Sequence, residues 1–319
     1  MKDGLMSKSF VGAYWGPRAE SVDESADRLS RLVSALAMLE PTLRDWRNKG
    51  GSKRQALAQP LVTAHHADLV QRLLAGQHRT NLGQEIIDDV GYSVHWWNGV
   101  DNSRDGATLS LHIASTTLSN SLVIKLPGQD AAPGLYKRMT AQTLLERIVQ
   151  ILCPDRAVFS SDSLLDKQSE PDRHLEDGGF ILGKLVGHPA GWANFLGDSD
   201  STKFDPTLLP SAATVERLGH GTLVTLRTDP ANPSLSDVLQ VRRAMGYPVS
   251  TQQAEPSDDM GAATAGPPIT AVAPERLVEP AEERQTDPRR GNQTHSVPHP
   301  ARGTDSQSRD TRRGTPHNK

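Results

Sequence analysis

Every aromatic residue of this 319-residue chain lies at or before Tyr247. Residues 251–319 contain no Trp, Tyr, Phe or Cys, yet hold nine of the 22 prolines. A segment so composed buries too little apolar surface to offset an ordering cost of about 1–2 kcal/mol per residue. The composition therefore predicts one folded domain over residues 1–250 and a disordered, Pro-rich tail over 251–319. No Gly/Ser-rich or Pro-rich linker interrupts the first part, which is long enough for a sizeable core.

Charge narrows the function classes. Residues 1–250 carry 28 acidic and 26 basic side chains, a balance that does not call for nucleic acid. In the tail, residues 251–287 have eight acids and two bases, and 288–319 two acids and seven bases. Blocks of opposite sign attract one another loosely in a solvated coil. Cys153 is the single cysteine, so no intramolecular disulfide exists. Its place between Leu152 and Pro154, at the end of an apolar helix, reads as a buried, inert thiol. The first residues lack the apolar core of a signal peptide, and no run of about 18 apolar residues occurs. A cytoplasmic protein is expected.

The pattern predicts α+β architecture: an antiparallel meander packed with several amphipathic helices. Phe10–Trp15 reads as a strand buried on both faces, ended by Gly16-Pro17. Ser21 and Glu24 then form a capping box that starts a helix over 22–39, with Ala26, Leu29, Leu32, Val33 and Leu36 on its inner stripe and Pro41 as its stop. Leu43 and Trp46 predict a further helix over 42–49, and residues 65–75 another, ended by Gly76. Period-two alternation then appears at 92–97, 109–113 and 122–126, which predicts the meander. Thr140 is expected to cap a helix reaching Leu152. Strands follow at 156–160 and 179–186, a hairpin around Gly219-His220-Gly221, and a final helix over 235–245 after Ser234.

The spacing of polar residues offers no catalytic or metal constellation. His65-His66 are adjacent and diverge by about 100° on a helix. His95, His112, His188 and His220 are isolated in strands or turns and read as hydrogen-bonded structural residues. There is no H-E-x-x-H, paired C-x-x-C, phosphate-cradling Gly loop or G-x-S-x-G elbow. No cofactor is expected.

What remains is surface. Asp162, Asp166, Glu170, Asp172, Glu176 and Asp177 set six acids against two bases in a stretch expected to be an exposed loop. Glu85, Asp88 and Asp89 form a second acidic group. Such surfaces complement the positive phosphate-binding faces of nucleic-acid enzymes. The alternatives are nucleic-acid binding through the cluster Arg44, Arg47, Lys49, Lys53 and Arg54 with the basic end of the tail, or an unrecognised enzyme.

Several motifs point further. Gly12, Tyr14-Trp15-Gly16, Arg18 and Glu20, then Trp97-Asn98-Gly99, Gly191-Trp192 and the run Gly219-His220-Gly221-Thr222-Leu223-Val224 occur in that order. In these the chain resembles the immunity protein 52 family over about residues 8–246. The resemblance implies a non-enzymatic protein encoded beside a polymorphic toxin, which it binds and blocks. Toxins associated with the family include ones of restriction-endonuclease-like fold, so a nuclease is the implied partner. Trp15 and Trp97, in strands, are expected to serve the core rather than the toxin.

Overall fold

The computed structural model describes residues 8–249 apart from 101, 103, 171–172, 175–178, 182 and 200–202, and gives only the backbone of Arg173 and His174. The tail over 251–319 lies outside the described residues.

Strand β1 (Ser9–Trp15) leads into helix α1 (Val22–Leu39). The capping box forms as read: Ser21 N–H donates to Glu24 Oε2 at 2.8 Å, and Glu24 N–H to Ser21 Oγ at 3.2 Å. These two bonds satisfy donors that a helix start leaves orphaned. Pro41 then forces a 3₁₀ turn over Pro41–Leu43. The expected helix over 42–49 does not form. The chain instead makes the short strand β2 (Arg47–Asn48), and Trp46, fully buried, donates its indole N–H to Leu43 O at 2.8 Å. The spacing of three that resembled a helical face places both residues in the core through a turn. Helix α2 (Lys53–Ala58), absent from the sequence reading, precedes α3 (His66–Ala75).

The meander is β3 (Tyr92–Trp97), β4 (Thr108–Ile113) and β5 (Asn120–Lys125). Helix α4 (Arg138–Leu152) begins at Lys137, so Thr140 sits within its first turn and caps nothing. Cys153 ends α4 in the left-handed region (φ +48°) and is exposed, contrary to the buried thiol expected. Strand β6 (Arg156–Ser161) follows. The acidic stretch then opens as helix α5 (Asp162–Gln168) rather than a loop, because Ser161 Oγ accepts the Leu164 N–H. Of the strand expected over 179–186 only β8 (Phe180–Ile181) forms, paired with β7 (Arg173–His174). The unread β9 (Ala193–Gly197) precedes the hairpin β10 (Ala213–Leu218) and β11 (Gly221–Leu226), and α6 (Leu235–Ala244) starts at its cap Ser234.

Nine strands make one antiparallel sheet in the order β10-β11-β9-β6-β1-β5-β4-β3-β2. Strand β1 lies between β5 and β6, so both of its backbone edges are hydrogen-bonded within the sheet. One rung shows how the core forms. Trp96, Leu109, Ile124, Val11 and Phe159 stand side by side across five strands and belong to the same core as α1, α3 and α4. The alternate rung carries His95, Ser110, Val123, Gly12 and Val158 on the other face. Alternation thus assigns the meander an apolar face against the helices and a polar one away from them.

Candidate functional site

The motif at the end of β1 builds a closed corner. Gly16 N–H donates to Asp155 Oδ2 and Gly16 O accepts from Asn120 Nδ2, each at 2.8 Å. Arg18 donates its backbone N–H to Ser115 O and its guanidinium to Leu152 O and Cys153 O. Arg28, from α1, donates to Ile151 O at 2.8 Å. Two guanidinium groups therefore cap three successive carbonyls at the C-terminus of α4, where the helix dipole favours positive charge. Glu20, with a side chain only 5% exposed, lies 2.5 Å from Arg18 Nε and 3.4 Å from Arg28 Nε and balances them. The Arg18 guanidinium also covers the Trp15 ring at 5.3 Å.

The other motif residues hold backbone too. Trp97 is half-buried in β3, and Asn98-Gly99 turn the chain out of it. Asn98 Oδ1 accepts from Val100 and Ala107, while Gly99 has φ +81°. Trp192 is fully buried, packs edge-on against Phe159 at 5.7 Å, and donates to Thr228 O at 3.0 Å. Tyr14, opposite the helices, lies 5.8 Å from the His188 ring, and burial pushes its hydroxyl pKa up. Gly12 leaves room beneath the Tyr14 ring.

The polar sheet face carries paired hydroxyls and imidazoles. Ser93 Oγ is 2.9 Å from His78 Nε2 and 3.0 Å from His112 Nδ1, and His95 Nδ1 is 3.2 Å from Ser110 Oγ. Burial, and then the neighbouring His78, hold the His112 imidazole below its ordinary pKa. A hydroxyl activated by histidine needs a third group to orient the ring. His112 Nε2 has no hydrogen-bond partner among the described residues, and Ser93 links the two rings across two strands and a loop.

The two acidic groups lie beyond opposite ends of β1. Glu85, Asp88 and Asp89 are exposed in the segment leading to β3, near the Trp15 end, where Ser115 and Thr117 hydroxyls and the Thr116 N–H bond Asp89 O. Asp162 begins α5 at the Ser9 end and is paired with Lys125. Asp166 and Glu170 are exposed beside it, whereas Asp172, Glu176 and Asp177 lie outside the described residues. A cleft of about 420 Å³ opens at this same end, with Ser9, Ser161, Lys167, Asn232 and Ser234 among its lining. Of the basic cluster, Arg47 is spent on Gln59 O at 2.6 Å, Arg44 is exposed after the 3₁₀ turn, Lys49 after β2, and Lys53 and Arg54 at the start of α2.

A family model described as immunity protein 52 matches residues 7–241. The chain belongs to the immunity protein 52 family. The match spans β1 through most of α6, and so covers both the corner and the two acidic groups. No curated protein matches the sequence. Among solved structures, the Pseudomonas aeruginosa T6SS protein PA0821 is similar with a TM-score of 0.45 and 10% identity, over 75% of this chain and 72% of that one.

Sequence reasoning found the family residues but missed their partners. Arg28, Asn120 and Asp155 carry no assigned role in the sequence reading. Nothing in their spacing from Arg18 or Gly16 marks them, because they meet only when β5 and β6 pair with β1.

Proposed function

We propose that this protein protects the cell that makes it by binding a toxin encoded beside it and covering the toxin's active site or substrate surface. The family match carries this reading. The structure supports it in what it leaves exposed. The family's charged motif is consumed inside the corner, and the acidic side chains Glu85, Asp88, Asp89, Asp166 and Glu170 are free to face a partner. A toxin that acts on nucleic acid, of restriction-endonuclease-like fold, is the partner such a surface suits. Phosphate-gripping clefts are positive, and complementary potentials accelerate encounter. A stable inhibitory contact buries roughly 1,200–2,000 Å² in total, which a face of this sheet and its loops can supply. Action in the cytoplasm fits a partner made in the same cell. Among the described residues no helix is long and apolar enough to cross a membrane.

Co-expression tests the reading. The toxin from the neighbouring reading frame should arrest growth alone and not with this protein present, and the two should co-purify with an association rate that falls as salt rises. Unrelieved arrest without co-purification would overturn it, as would release of the arrest by catalytic turnover of a small molecule.

A further inference from the structure

The segment over residues 77–91, between α3 and β3, folds back on itself as a hairpin through the antiparallel bridge between Arg79 and Ile86. Its tip exposes a leucine: Leu82 is 90% accessible, the most exposed large apolar side chain among the described residues. Ile86, 43% exposed, stands on its flank, and Leu118, 51% exposed, stands in the β4–β5 loop that bonds its base. Leu82 is thus available for burial against another molecule, with a gain set by its apolar area.

The tip is held in shape. Thr80 N–H donates to Glu85 O at 2.9 Å, and the Thr80 hydroxyl accepts from Glu85 N–H at 3.1 Å. Arg79 turns its guanidinium back onto Gln84 O at 3.0 Å, and the Gln84 side chain reaches Thr80 O at 3.3 Å. Gly83 (φ +98°) and Gln84 (φ +57°) both occupy the left-handed region, an arrangement that a non-glycine residue keeps only when its surroundings enforce it. The base is fastened to the sheet through Ile87 N–H to His78 O, Ser93 N–H to Gly76 O, and the His78–Ser93 contact. A pre-shaped tip loses little freedom when it binds.

Charge along the hairpin selects the occupant. Glu85 flanks the tip and Asp88 and Asp89 stand exposed at its base; none of their carboxylates has a hydrogen bond or ion pair to a described residue, and the Arg79 guanidinium is engaged by Gln84 O. At the other acidic group, by contrast, Asp162 is already neutralised by Lys125, and Lys167 lies within the same short helix.

We infer that this hairpin is the element that enters the toxin, with Leu82 seated in an apolar pocket and Glu85, Asp88 and Asp89 facing cationic walls of the kind that grip phosphates. The inference rests on the toxin-binding reading and names the surface that carries it. The test uses the full-length protein and the catalytically inactivated toxin from the neighbouring reading frame, with affinity and association rate measured at low and high salt. Leu82→Asp should weaken binding about 100-fold, a change typical of a burdened interface anchor, and abolish protection in cells, while Leu82→Met should stay near wild type. Glu85→Gln with Asp88→Asn and Asp89→Asn should slow association about tenfold and flatten its salt dependence. Asp166→Asn with Glu170→Gln, at the other end of the sheet, should change neither. All these side chains are exposed, so unfolding midpoints equal to wild type should accompany each variant. Wild-type binding that Leu82→Asp leaves intact would overturn the hairpin assignment alone. A wild type that neither binds nor protects would remove the toxin-binding reading and the hairpin assignment with it.

Discussion

The corner at the end of β1 and the hairpin over residues 77–91 lie at the same end of the sheet and treat charge in opposite ways. In the corner, Glu20 is almost wholly buried between Arg18 and Arg28, and both cations are spent on the last carbonyls of α4. In the hairpin, three carboxylates and an uncovered leucine stand in solvent. A buried carboxylate left without its cations costs heavily, whereas unpaired surface charge adds little to folding and remains available to another molecule. The residues by which the family is recognised therefore hold the fold, and the surface proposed for a partner is marked by none of them.

Removing one charge from each region would break or sharpen that contrast. Glu20→Ala leaves two guanidinium groups uncompensated beside α4, and a loss of about 2–3 kcal/mol in denaturant unfolding is expected, discounted because Arg18 is partly exposed. The exposed hairpin carboxylates should cost under about 0.5 kcal/mol when neutralised singly. An equal loss at both places would erase the distinction. A smaller effect is expected from Ser21→Ala, about 1 kcal/mol, because it removes the oxygen that accepts Glu24 N–H and frays the start of α1 without touching the ion pair.

The smallest effect concerns the footing of the hairpin on the sheet. His112 is held below its ordinary pKa by burial and by His78, so the unfolded chain takes up the proton more readily than the folded one. Stability should be unaffected well above about pH 6.5 and fall as the pH drops through and below that value. His112→Asn, which keeps an acceptor for Ser93, should shrink the difference between unfolding midpoints at pH 7.5 and 5.5. An unchanged difference would place the pH sensitivity elsewhere.

Much of this fold was legible because its signals are local. The capping box at Ser21 and Glu24, the stripe of α1 and the alternation of β3, β4 and β5 depend on residues within a turn or a strand of one another. Where a local pattern had two solutions, reading failed. Leu43 and Trp46 satisfy their spacing through a 3₁₀ turn, and Trp46 is held by Leu43 O and by the backbone bond from Val62. The acidic stretch, read as a loop for its charge, opens as α5 because Ser161 caps it and Leu164 and Gln168 turn inward. Cys153, read as buried by its apolar neighbours, is put outside by the left-handed end of α4.

Sequence by itself determined the elements around β1, the boundary near residue 250 as an expectation from composition, and membership of a family through short ordered motifs. Only the tertiary structure decided what those motifs do. Arg18, Arg28, Glu20, Asn120 and Asp155 are scattered over more than 130 positions and come together because β5 and β6 flank β1 and deliver the end of α4 to it. Helix and strand periodicity is written by neighbours in the chain, whereas ion pairs and exposure arise from neighbours in space. The first is a property of short segments, and the second exists only once the sheet has closed.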